Sequence, residues 1–407
     1  MDWNSSSMLM PAVAALLVAL VATPVVRRTA RRLGVLSYPD SVRRFHAVAS
    51  PLWGGLAVCL AMLAGLAVAL ALPAHGDERL IRLCHAAIPA AVLACFFGAV
   101  DDRFDLAPRL KLLLQLLSVT PVVAAGYSID VIVVFNWRIA LGPLGIPVTV
   151  LWLLGCINAL NLIDGMDGLA SVVGLSITAM MSIIAVSTGN PHVAVVALAL
   201  AGALAGFFAY NRPPASIFLG DSGSTMIGLV VGILGIQGSM KSSATLAITA
   251  PVVVMALPLY DVVMAMIRRK LTRRPLDVGD RQHIHHRLLD RGMGPWQVLC
   301  LIGALCLTTG AAATAATVFR LDALAWITTT TIIILMIRLH LFGDHEFGLV
   351  HNAIRSKWNI FARLILAKTR FVRTRQGGDL SDDPETAEKI SSETHHEALQ
   401  PYGRKAA

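Results

Sequence analysis

Residues 8–32 read MLMPAVAALLVALVATPVVRRTARR: nineteen uncharged, mostly apolar residues, then Arg27, Arg28, Arg31 and Arg32. A helix rises about 1.5 Å per residue, so about 20 such residues cross the roughly 30 Å hydrocarbon layer of a bilayer. The basic cluster follows the apolar run and none precedes it, so the run reads as a retained span and not a cleaved signal. Ten further runs of this kind follow, at 53–73, 84–100, 110–126, 147–163, 169–187, 192–210, 224–240, 245–267, 296–318 and 324–342. The expected fold is an all-α polytopic integral membrane protein with about eleven transmembrane helices.

Composition agrees. Of 407 residues 56% are apolar and 14% charged, with mean hydropathy +0.68. Soluble domains carry about 25% charged residues, so a water-soluble globule and a largely disordered chain are both excluded. The net charge of +9 is mostly topology. Alternate connections hold 28 of the 34 Lys and Arg residues, against five in the opposite set. The positive-inside rule places the first set in the cytoplasm, with the N-terminus outside and the C-terminus inside. No nucleic acid partner is needed to explain the charge. The six cysteines lie in or beside apolar runs without metal-ligand spacing, and read as free, buried thiols.

The catalytic domain is expected over 1–342. The longest outer connection, 127–146, has alternating residues that suit a small hairpin. Residues 343–375 read as a basic amphipathic helix on the inner leaflet, and 376–407 as a disordered tail.

Four polar clusters fall on the cytoplasmic side, which places the expected active site there. Asp101, Asp102 and Asp105 follow the third span, and a continuing helix would bring the three carboxylates toward one face. Asn158, Asn161 and Asp164 recur every third residue at the end of the fifth span, followed by Gly165, Asp167 and Gly168. The glycines break the helix, and the oxygen donors suit a hard cation such as Mg²⁺. Asn211 and Phe218-Leu219-Gly220-Asp221-Ser222-Gly223-Ser224 form the third. A helix start there can offer a carboxylate and free amides to a phosphate–metal unit, or be an ordinary capped turn. His283, His285, His286 and Arg287 form the fourth, suited to phosphate, with zinc binding and a solvated loop as competing readings. The combination suits phosphoryl transfer between a soluble nucleotide and a lipid acceptor. A transporter or flippase would place its ionisable residues near mid-membrane, and a non-catalytic scaffold would tolerate loss of the aspartates.

In these residues and their order, the chain resembles the polyprenyl-phosphate N-acetylhexosamine-1-phosphate transferases. Pro39-Asp40, Arg43-Arg44, His46, Pro51 and Gly54-Gly55 extend the likeness over roughly residues 1–340. Asp105 and the His-x-His-His-Arg form look more like members using UDP-N-acetylglucosamine than those using UDP-muramoyl-pentapeptide. The resemblance implies a multi-pass enzyme of the bacterial inner membrane, acting early in a cell-envelope glycan pathway. It would transfer N-acetylhexosamine-1-phosphate from a UDP-sugar to undecaprenyl phosphate and release UMP. It further implies Asp221 and Asn161 as Mg²⁺ holders, with Mn²⁺ as a substitute. Asp101 and Asp102 would orient or deprotonate the lipid phosphate. Asp167, Asn211 and Phe218 would hold uridine. His283, His285, His286 and Arg287 would contact phosphate or sugar, with Arg44, His46 and Lys111 as further phosphate candidates. Asp164 joins the catalytic set; Asp105, Asn158 and Gly220 join the substrate-binding set. A homodimer is left open.

Overall fold

The computed structural model describes residues 5–38, 50–72, 77–134, 137–239, 249–272, 283–319, 321–339 and 355. Arg44, His46 and the two C-terminal segments expected from the sequence lie outside these residues, residue 355 excepted. The division into compact units falls between Gly348 and Leu349.

Within the described residues, every apolar run of the sequence falls on helix. The first eight are α1 (Ser5–Arg32), α2 (Gly54–Ala71), α3 (Glu78–Phe104), α4 (Pro108–Ala124), α5 (Gly145–Ile163), α6 (Leu169–Ser187), α7 (Pro191–Asn211) and α8 (Gly220–Ser239). The ninth departs from expectation: it divides at Met255 into α9 (Thr249–Val254) and α10 (Ala256–Leu271). A short helix, α11 (Ile284–Asp290), carries the histidines, and α12 (Pro295–Phe319) and α13 (Asp322–Arg338) complete the bundle. Among the described residues seven helices are long and apolar enough to cross a membrane: α1, α2, α3, α5 with the turn before it, α6, α7 and α12. α13 is a shorter apolar helix. The protein is an all-helical polytopic bundle.

Two small hairpins decorate it. β1 (Leu36–Ser37) pairs antiparallel with β2 (Ser50–Pro51). β3 (Val131–Val134) pairs with β4 (Trp137–Ala140), Val131 opposite Ala140, where the alternation had suggested a hairpin.

Small side chains let the helices approach. Ala15 and Ala19 of α1 and Ala199 and Ala203 of α7 are fully buried, and α1 packs on α7 and α2. Without a strong hydrophobic drive inside lipid, such close packing is what holds apolar helices together. α8 is the hub. It lies against α2, α3, α5 and α6, and Ile227, Leu229, Val230 and Val231 are fully buried. Five cysteines are buried as expected; Cys300 on α12 is exposed instead, because it faces away from the bundle.

Candidate active site

The site is built around the first turn of α8. Gly220 begins the helix with φ +74°, and the next two residues are held by an acid from α3. The amides of Asp221 and Ser222 donate to Asp102 Oδ1 and Oδ2 at 2.8 and 3.2 Å. The Gly220 amide lies beside the Asp164 carboxyl. Two of the free amides anticipated for a phosphate are therefore already engaged. Orphan N–H groups at a helix start need partners, and the Asp102 carboxylate takes two of them here.

This arrangement depends on close approach. A Cβ on Gly55 of α2 would strike the Gly223 backbone, and one on Gly98 of α3 would strike the Asp221 and Ser222 backbone. The Gly54 and Gly55 amides donate to the carbonyls of Phe218 and Leu219 at 2.9 and 2.8 Å. The glycine pair at 54–55 thus clamps the loop that leads into α8.

Asp101 and Asp102 are neighbours in sequence with different surroundings. Successive helical residues point about 100° apart. Asp101 Oδ1 accepts the Leu106 amide at 2.8 Å, and Oδ2 pairs with Lys111 Nζ at 2.8 Å. Lys111 also reaches Asp221 Oδ2 at 3.5 Å. Helix α3 does not continue through Asp105, which takes a left-handed turn (φ 46°) with its side chain fully exposed, 3.8 Å from Lys111. The three carboxylates do not share one face. Asp101 and Asp105 share Lys111 instead, and Asp102 braces α8.

From α5, Asn161 Nδ2 donates to Asp221 Oδ1 at 2.9 Å and approaches Ser224 Oγ at 3.2 Å. Asn158 Nδ2 donates to Gln115 Oε1 of α4 at 3.1 Å. Gln115 was not singled out in the sequence, although it lies one turn after Lys111 on the same helix. The chain then turns at Asp164–Gly168. Desolvation, aided by the Asp221 and Asp102 carboxylates, holds the Asp164 carboxyl well above the usual range; the Gly220 amide works against this.

Two cavities meet at Asp221. The first opens between α3, α4, α5 and α8; Phe97, Leu112 and Ile157 give apolar walls, and Asp101, Lys111 and Asn158 give polar ones. The second is more polar and is lined by Asp102, Asp164, Asp167, Asn211, Phe218 and Gly220. Asp167 Oδ2 accepts the Ala215 amide at 2.8 Å. Asn211 is buried, accepts from Ser171 Oγ at 2.7 Å and donates to the Ile217 carbonyl at 3.0 Å. Beyond Asp167 a third cavity of about 620 Å³, lined by Pro213, Pro214, Asp290 and Trp296, is large enough for part of a nucleotide-sized ligand.

The histidines reach the same turn. His285 is 1% exposed and its Nε2 lies against Gly165, where any side chain would collide with it. The close approach that Gly165 permits is thus to an imidazole of the chain itself. Desolvation, with His286 and His283 nearby, holds the His285 imidazole well below its usual range. His286 and Arg287 are half-buried on α11.

Among the described residues no group of three His, Cys, Asp or Glu side chains forms a metal cage. Mg²⁺ seldom needs one, since it is commonly held by one or two carboxylates with substrate phosphates and water. Asp221 and Asn161, adjacent and half-exposed at the junction of two cavities, fit that donor set.

Residues 84–239 match the family model described as Glycosyl transferase family 4. A probable undecaprenyl-phosphate N-acetylglucosaminyl 1-phosphate transferase of Bacillus subtilis is 33% identical, over 87% of this chain and 96% of its own length. A decaprenyl-phosphate N-acetylglucosaminephosphotransferase of Mycobacterium tuberculosis is 30% identical, over 71% of this chain and 77% of its own. An undecaprenyl-phosphate alpha-N-acetylglucosaminyl 1-phosphate transferase of Escherichia coli K12 is 27% identical, over 86% and 92%. With these relatives, with acids and amides gathered around α8 and with His285 against Gly165, the chain belongs to the polyprenyl-phosphate N-acetylhexosamine-1-phosphate transferase family.

Proposed function

We propose that the protein transfers N-acetylglucosamine-1-phosphate from UDP-N-acetylglucosamine to undecaprenyl phosphate. The names of its relatives support the sugar phosphate and the lipid acceptor. One observation carries the reading: Asp221 lines both an apolar-walled cleft and a polar one. A lipid phosphate entering the first would meet Lys111, and a nucleotide sugar in the second would meet Asp167 and Phe218. The two substrates would then share Asp221.

In this reading an oxygen of the lipid phosphate attacks the β-phosphorus of the donor. The bond to the bridging oxygen breaks, and UMP departs with that oxygen. The second pKa of a phosphate is about 6, so the nucleophile is largely ionised at pH 7 and needs no strong base. Asp101 accordingly orients Lys111, and Lys111 draws the lipid phosphate toward Asp221. Asp102 and Asp164 hold the first turn of α8 in register. Asp221 and Asn161 would hold Mg²⁺, which neutralises pyrophosphate charge when bound. His286 and Arg287 would contact the donor phosphates or sugar, as the family resemblance implies. Eleven crossings, an outer N-terminus and a cytoplasmic site complete the proposal, in the cytoplasmic membrane of a bacterium at the first membrane step of an envelope glycan.

The test is UMP release from a panel of UDP-sugars, with undecaprenyl phosphate and Mg²⁺ in detergent. UDP-N-acetylglucosamine should be turned over fastest. Turnover of UDP-muramoyl-pentapeptide alone, or of nothing, overturns the proposal.

A further inference from the structure

Asp261 stands apart from the four polar clusters of the sequence. It lies in the second turn of α10, within the apolar run 245–267, and is 1% exposed. Its Oδ2 is 3.1 Å from Nδ1 of His283, which is itself buried. Among the described residues its Oδ1 has no hydrogen-bond partner. A carboxylate in such a place is costly and is retained only where its pairing serves a purpose.

The pairing leads to the site. His283 sits at the N-cap position of α11 with extended backbone (φ −68°, ψ 154°), yet its side chain makes no cap bond. It turns instead to Asp261 on another helix. Its ring is parallel to that of His285, with centroids 6.1 Å apart and planes at 6°. His285 in turn contacts His286, centroids 4.1 Å apart, and abuts Gly165 in the turn that carries Asp164 and Asp167. A contiguous line of side chains runs from α10 to the polar cavity.

We propose that Asp261 is a positioning residue for the nucleotide-sugar donor: through His283 it sets the placement of α11, and thereby of His286 and Arg287. A carboxylate that accepts a hydrogen bond requires the proton on Nδ1, which also fixes the ring's orientation. Asp261 itself touches neither substrate. The inference rests on the donor reading of the site given above.

The test uses the full-length protein in detergent. Asp261→Leu fills the space with an apolar side chain suited to an apolar helix, and removes the acceptor. The KM for UDP-N-acetylglucosamine should rise about tenfold or more, the scale for losing a supporting partner. The KM for undecaprenyl phosphate should stay within about twofold, well below that tenfold scale. Asp261→Asn keeps an acceptor oxygen and should recover most of the donor affinity. Adding His283→Ala to Asp261→Leu should cost little beyond either change alone, because the two residues act as one unit. A lower kcat with both KM values unchanged indicates a merely structural pair and overturns the proposal, as do unchanged constants or fully multiplicative losses. Should Asp261→Leu fail to fold, His283→Leu breaks the same bond from the other side and carries the same expectation. Equilibrium binding of UDP to the same variants reads the donor shift without turnover. An inert wild type that still binds UDP therefore strikes the proposed reaction, whereas equal UDP affinity in wild type and variants strikes this inference.

Discussion

The carboxylate of Asp102 accepts the backbone amide of Asp221 at 2.8 Å, across 119 positions of sequence. Asp221 is thereby held through its main chain, while its side chain remains free to face Lys111, Asn161 and both cavities. One acid fixes the position of another, and the two have different chemical duties.

Replacing Asp221 should abolish transfer without preventing insertion. Asp221→Ala removes the carboxylate common to both cavities, and kcat should fall at least about 10²–10³-fold, the scale of losing one preorganised electrostatic contact. Wild-type turnover by purified Asp221→Ala protein with Mg²⁺ present would refute the assignment.

Asp102→Ala should act on stability as well as on rate. It leaves the amides of Asp221 and Ser222 without their acceptors, each costing about 1–3 kcal/mol when buried. Thermal unfolding in detergent should shift clearly downward. Asp221→Ala, which breaks no main-chain bond, should shift it far less. Equal melting temperatures for the two variants would remove the bracing role of Asp102.

Gly98→Ala probes the approach of α3 to α8. The added methyl would meet the Asp221 and Ser222 backbone, so the helices must separate or the first turn of α8 must move. Overpacking of this kind costs about 1–3 kcal/mol. Activity should fall by more than stability alone explains, since the displaced residue is Asp221. Gly126→Ala, on a turn with nothing nearby, is a useful contrast. Although strained by its positive φ, it should leave the rate per folded molecule unchanged. Full specific activity in Gly98→Ala would contradict the close-packing account.

The buried imidazole of His285 predicts a pH effect. Its folded pKa is depressed by desolvation, whereas the unfolded chain binds a proton near pH 6.5. Between these values the unfolded state holds more protons, so stability falls as pH drops below about 6.5. This residue contributes up to about 1.4 kcal/mol per pH unit. Melting temperatures between pH 7.5 and 5.5 should therefore depend less on pH in His285→Gln. An unchanged slope would show that His285 takes up its proton equally in both states.

Much of this was legible beforehand in particular residues. Within the described residues each apolar run became helix, because hydropathy over about 20 residues is a local property judged against the whole bilayer. The Val131–Ala140 hairpin followed from alternation. The acids and amides at 101–102, 158–164 and 221 did converge. Their partners were another matter. Asp105 left the helix, and Asp101 and Asp102 parted company. Two of the α8 amides were occupied by an acid of the chain itself, Asp102. Asp261 was overlooked inside an apolar run, although an acid in such a run is a signal in its own right.

The sequence by itself determined a polytopic membrane protein, since composition carries that, and its ordered polar clusters carry the resemblance to the family. Only the tertiary structure decided which carboxylate braces, which pairs with Lys111 and which faces both cavities. Those duties follow from hydrogen bonds that depend on helix crossings. The crossings, in turn, are permitted by a missing Cβ at Gly55 and Gly98, contacts no local pattern encodes.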